Sequence, residues 1–176
     1  MALDMKEIIA LETRKLLFEE KVKKLTVKDI VDGCHITRQA FYYHFADIPE
    51  LIRWILEQEG NQLFLKYGDC TDTEEQLRRF FTTAVNARPA LQRGLGSNYG
   101  KELEALLIQN MESLLHRVAE RQGALQSCTP MERDIVIRYH CQAAIGMLRY
   151  WTDADTQNLD QIAHAVYLTL SKGLAL

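Results

Sequence analysis

Proline is scarce in this chain: Pro49, Pro89 and Pro130 are the only three in 176 residues, beside nine glycines. Residues that break helices are therefore too few to interrupt long ones. Alternating runs of Val, Ile and Thr are missing as well, which excludes sandwich and barrel folds and predicts an all-α protein. The four cysteines, Cys34, Cys70, Cys128 and Cys141, are widely spaced and form no C-x-x-C pair, so a disulfide scaffold or zinc ribbon is not in the pattern. With no apolar leader at its start, the chain is expected in a reduced, cytoplasmic setting. Charges break every apolar stretch before the roughly 20 residues needed to span a bilayer, so no membrane partner is expected. A glycine-rich phosphate loop, a Ser or Cys nucleophile in a recognisable setting, and paired His and carboxylate spacings are all lacking, which argues against an enzyme and implies no cofactor.

What is present is a chain 47% hydrophobic and long enough for one body, or a small head on a larger one. Apolar residues Ile8, Leu11, Leu16 and Phe18 mark a first helix over residues 3–20. Lys21, Lys23 and Lys24 follow as a basic connector. Thr26 stands as an N-cap with Asp29 three residues on, which predicts a short second helix over 27–33. Gly33 to Ile36 has the make-up of a tight turn, and Thr37 is a second N-cap, opening a short third helix over 38–44. Asp47, Pro49 and Glu50 start a fourth, running to about 65. A polar break over 67–72 precedes four longer helices. Thr73 is expected to cap the first, which Pro89 should end. The second follows a glycine-containing connector and stops at Gly123, the third covers about 130–151 from Thr129 and Pro130, and the last covers about 158–174.

Three short, closely spaced helices, the third reading Thr37-Arg38-Gln39-Ala40-Phe41-Tyr42-Tyr43-His44-Phe45, suit DNA. The major groove admits one helix, whose N-terminal residues meet base edges while the helix before it crosses the backbone. Arg38 fits the two acceptors of a guanine and Gln39 an adenine edge, whereas Thr26, Thr37, Tyr42 and His44 are donors suited to phosphate. Phe41 and Phe45, four apart, are core. The net charge of −3 does not describe a protein coated in nucleic acid. From Arg14 to Phe45, however, seven Lys and Arg face four acids, a local balance of +3 that leaves −6 for the remainder. The connector lysines read equally as a solvated segment or as phosphate contacts.

Leu25-Thr26-Val27-Lys28-Asp29-Ile30, then Ile36 to Phe45, then Asp47-Ile48-Pro49-Glu50-Leu51 resemble the DNA-binding head of TetR-family regulators over roughly residues 5–60. In Gly146-Met147-Leu148-Arg149-Tyr150-Trp151 and the terminal helix, the chain is similar to members related to the regulator of dihydroxyacetone kinase. The resemblance implies that the third helix enters the major groove, with Arg38, Gln39 and Ala40 facing bases and Thr26, Thr37, Tyr42 and His44 holding the backbone. Tyr43 is suited to either. Ile48 stands where many members have lysine, and Ala40 where Ser or Thr is common. The resemblance also implies a homodimer on a double-stranded operator, with a helix-turn-helix domain over 1–47 and an effector-binding and dimerisation domain over 48–176.

Within that second region, Phe80, Phe81, Tyr99, Met111 and Trp151 are candidates to line a pocket for a small-molecule effector, though a packed core needs the same residues. His116, His140, His164 and Cys141 have no ligand spacing, so no metal site is expected. The apolar stripe Leu159, Ile162, Ala163, Val166, Leu170 and Leu174, with Ala143, Ala144, Gly146 and Met147 on the preceding helix, is expected to pack against a second copy as a four-helix bundle. A ligand-responsive transcriptional repressor is thus the leading expectation. A coactivator or interaction module of the same fold is the alternative, followed by a small helical enzyme or a purely structural module.

Overall fold

The computed structural model describes residues 4–20, 22–67 and 72–172. Lys21, residues 68–71 of the expected polar break, and Leu174 of the terminal stripe lie outside the described residues. Every regular element within them is helical, as the scarcity of proline and of strand patterning requires. They are α1 (Met5–Arg14), continued by a π-helical turn (Lys15–Glu19), α2 (Val27–Cys34), α3 (Arg38–His44), α4 (Ile48–Tyr67), α5 (Thr73–Leu95), α6 (Gly100–Arg121), α7 (Pro130–Arg149), α8 (Asp153–Gln157) and α9 (Leu159–Lys172). None of the described helices is long and apolar enough to cross a membrane.

The chain forms two compact units, one of Met1–Asn61 with Pro89–Asn110 and one of Gln62–Arg88 with Met111–Leu176. In the first, Ile9, Leu17, Ile30, Phe41, Leu51 and Leu103 are among the side chains lost to solvent, so α1 to α4 share one core with the start of α6. Thr13 is the buried polar residue there, and its hydroxyl donates to the Ile9 carbonyl at 2.8 Å. Such back-bonding bends helices. The widening into a π-turn follows two residues later, where the Glu20 N–H donates to the Lys15 carbonyl at 3.0 Å.

The second unit is organised around Phe81, Trp151 and Ala163, with Leu159, Ile162, Val166 and Met147 packed against them. Ala163 is 1% exposed, while Leu159, Ile162 and Val166 are only partly buried against the Phe81 and Trp151 cluster of their own unit. Leu170, 40% exposed, continues the line outward.

Several boundaries also differ from expectation. Pro89 does not end α5 but lies inside it. A proline removes one helical N–H and crowds one carbonyl, a cost of about 3 kcal/mol in an exposed helix. Thr73 is the first helical residue rather than the cap: Asp72 Oδ1 accepts from the N–H groups of Glu74 at 3.0 Å and Glu75 at 3.2 Å. The expected third long helix stops at Arg149, and a separate short helix follows. Thr152 caps α8 in a reciprocal box with Asp155, and Trp151 Nε1 donates to Thr156 Oγ1 at 3.0 Å.

Candidate nucleic-acid interface

The second and third helices begin where local chemistry demands. Thr26 is extended, φ −130° and ψ 158°, and its Oγ1 accepts from the Asp29 N–H at 3.3 Å. Asp29 Oδ2 in return accepts from the Thr26 N–H at 2.9 Å and its hydroxyl at 2.6 Å. Both partners of this box are satisfied, and the carboxylate sits at the positive end of α2. The helix runs one residue past Gly33, to Cys34, and it is His35 that takes the left-handed conformation at φ 55°. The turn to Thr37 is two residues long. Thr37 Oγ1 accepts from the Ala40 N–H at 3.1 Å, a role that does not use the hydroxyl's own proton.

Helix α3 therefore presents two faces. Phe41 is 0% and Phe45 2% exposed, their rings 6.2 Å apart, and Phe45 meets Trp54 edge-on at 5.9 Å. These anchors fix the roll of the helix. On the other face Arg38, Gln39, Tyr42 and Tyr43 are exposed, Tyr43 at 85%. Ala40 and His44 are half-buried, and the His44 ring meets Tyr43 edge-on at 5.1 Å. Lys23, Lys24 and Lys28 are exposed as well. The candidates Thr37, Arg38, Gln39, Tyr42 and Tyr43 thus share the start and outer side of one helix, whereas the Thr26 hydroxyl proton is already engaged by Asp29.

Residues that the sequence did not single out support this head from below. Asn98, in the corner between α5 and α6, receives the Leu25 N–H on Oδ1 at 2.7 Å and donates from Nδ2 to the Leu25 carbonyl at 3.2 Å. Arg93 Nε donates to the Phe18 carbonyl. Separations of 73 and 75 residues leave no periodicity or spacing from which to read such contacts.

The effector candidates divide. Phe80, Phe81 and Trp151 come together in the second unit, with Phe80 and Phe81 rings 5.2 Å apart. Met111 is half-buried. Tyr99 instead packs against the core of the first unit, and its phenol is pushed up by burial and by the nearby Asp47 and Glu102 carboxylates. Of the imidazoles, His116 Nε2 lies 3.6 Å from Asp134 and His164 Nδ1 2.8 Å from Glu74. His140 is pulled down by burial, and burial with the charge of Glu112 pushes the Cys141 thiol up to about 11. Among the described residues, no three His, Cys, Asp or Glu side chains gather to hold an ion.

Residues 9–53 match the family described as "Bacterial regulatory proteins, tetR family". The transcriptional repressor KstR2 of Mycobacterium tuberculosis is 32% identical over 82 residues, covering 44% of this chain and 41% of that protein. The chain thus matches less than half the length of that relative. The dhaKLM operon transcriptional activator DhaS of Lactococcus lactis is 23% identical over 145 residues, 81% of this chain and 76% of that one. A solved structure described as the dihydroxyacetone kinase operon activator DhaS superposes with a TM-score of 0.60 at 22% identity, over 95% of this chain and 94% of the other. That likeness is one of fold.

Proposed function

We propose, from the match of residues 9–53 to the tetR family of bacterial regulatory proteins, that the chain regulates transcription as a cytoplasmic homodimer. In this reading residues 1–47 read a double-stranded operator, and residues 48–176 dimerise and receive a small-molecule effector. The observation that carries it is α3. Its apolar side is anchored by Phe41 and Phe45, and its first turn exposes Arg38 and Gln39, the side chains suited to guanine and adenine edges. Thr37, Tyr42 and Tyr43 supply phosphate donors around them.

Dimerisation is proposed to use α7 beside the terminal stripe of α9, whose Leu159, Ile162, Val166 and Leu170 are not fully buried. On α7, Met131, Ile135 and Tyr139 are exposed at spacings of four, Ala143 continues the ridge, and at Gly146 nothing lies within 4 Å of where a Cβ would stand. Ridges of this kind pack into the grooves of another helix, and exposed apolar side chains in line suit a second copy. Effector binding is proposed for the second unit beside Phe80, which is only partly buried, since Phe81 and Trp151 are taken up by its core.

Repression is the leading reading of the output. The similarity to an activator over 81% of the chain favours a second, in which the body docks a partner protein and switches transcription on. A gel shift on the DNA upstream of the protein's own gene tests the shared premise: sequence-specific, salt-sensitive binding supports it, and its absence across genomic fragments overturns it. A reporter on the bound promoter separates the outputs, since deletion raises transcription under a repressor and lowers it under an activator.

A further inference from the structure

The corner between α5 and α6 holds the segment that leads into the DNA-reading helices at both of its ends. The π-turn finishes at Glu19, so the Phe18 carbonyl belongs to a last helical turn without internal partners, and Arg93 Nε donates to it. Five residues on from Arg93, Asn98 uses its side-chain amide as a neighbouring strand would use its main chain, satisfying both the N–H and the carbonyl of Leu25. The Asn98 N–H also donates to the Lys23 carbonyl at 3.0 Å. Leu25 is itself 1% exposed, and the residue after it, Thr26, is the cap of α2. Close approach is possible because residue 94 is glycine: a Cβ there would stand 2.6 Å from the Phe18 ring and 2.8 Å from Leu103.

We propose that Asn98, assisted by Arg93, is a positioning residue for operator recognition. By clamping Leu25 it fixes where α2 begins. Through the two-residue turn it sets the angle at which α3 meets base edges, while the same clamp on Lys23 holds the exposed Lys23 and Lys24 in register with the phosphates. The inference rests on the reading of α3 as the recognition helix. Base readout needs side chains held within about half an ångström, whereas non-specific binding needs little more than nearby positive charge. Loss of the clamp should therefore act on discrimination rather than on binding as such.

The test uses the full chain, an upstream duplex that it selects, and a scrambled duplex of equal length at one salt concentration, with the active fraction fixed by stoichiometric titration. Asn98→Ala is expected to weaken selected-duplex binding on the order of tenfold, the scale of one or two net hydrogen bonds, and to leave scrambled binding within about twofold. Asn98→Asp keeps the acceptor for the Leu25 N–H and removes the donor to its carbonyl. It should shift discrimination in the same direction, and it carries the test if the alanine variant does not fold. Selected-duplex affinity unchanged in both variants, or affinity for the two duplexes falling in equal proportion, overturns the proposal. A wild-type chain that binds both duplexes alike overturns instead the DNA-reading assignment on which it rests.

Discussion

Trp151 lies stacked on Phe81, ring centroids 5.4 Å apart and planes 22° from parallel. The pair joins α5 to the short segment after α7, and α9 lays Ala163 and its neighbours against it. The second unit therefore has an aromatic centre of its own, against which the terminal helix packs in part.

Trp151→Ala should consequently destabilise the second unit by on the order of 3–5 kcal/mol, the usual range for emptying a buried aromatic site. The indole hydrogen bond to Thr156 is lost with it. Phe81→Ala should cost a similar amount, and the double variant less than the two together, because the rings are in contact. Urea denaturation of the single and double variants checks this; strict additivity would mean that the stack contributes nothing beyond the separate burials.

Arg38→Ala and Gln39→Ala should relax base preference at separate operator positions, each by about 1–3 kcal/mol against the favoured base. Tyr42→Phe should weaken binding to all sequences alike. An operator library read with each variant decides it, and an unchanged preference in Arg38→Ala removes that residue from the readout.

The head was legible because its determinants are local. Thr26 and Asp29, Thr37 and Ala40, and Asp47 and Glu50 are each three residues apart, so the caps stand in the sequence itself. The body was less so. Whether α5 would pass through Pro89 depended on packing elsewhere, and α8 was hidden because five residues show no periodicity. The stripe on α9 was visible, but the side chains that cover it, Phe81 and Trp151, stand 82 and 12 residues from Ala163. No pattern on one helix names its partner. For the same reason Asn98 looked like an ordinary connector residue.

On the exposed start of α5, Glu75 accepts from Arg78 Nε at 2.7 Å and Arg79 Nε at 2.6 Å, and those bonds hold its carboxyl at about 2. Its native value lies below the ordinary 4.5, so the contribution is present in full above that ordinary value and is lost as pH falls toward about 2. Because the group is open to solvent, the effect is small. Glu75→Gln should be less stable than the parent at pH 7 and converge with it near pH 2. Urea midpoints across that interval provide the measurement, and a constant gap between the two proteins would rule out the carboxylate as its source.

The face proposed to meet a second copy can be separated experimentally from the face that packs within the subunit. Ile135 is 52% exposed on α7, so Ile135→Glu costs a lone subunit little, but in a two-fold dimer it would bury two unpaired charges. It should give a folded monomer with weakened operator binding, because two linked heads reach two half-sites at high effective concentration. Val166, by contrast, packs against the Phe81 and Trp151 cluster of its own unit. Val166→Glu should therefore unfold that unit rather than release an intact monomer. Sedimentation with circular dichroism of both variants distinguishes the faces. A folded dimer in Ile135→Glu would remove α7 from the interface, and a folded, helical monomer in Val166→Glu would return the interface to α9.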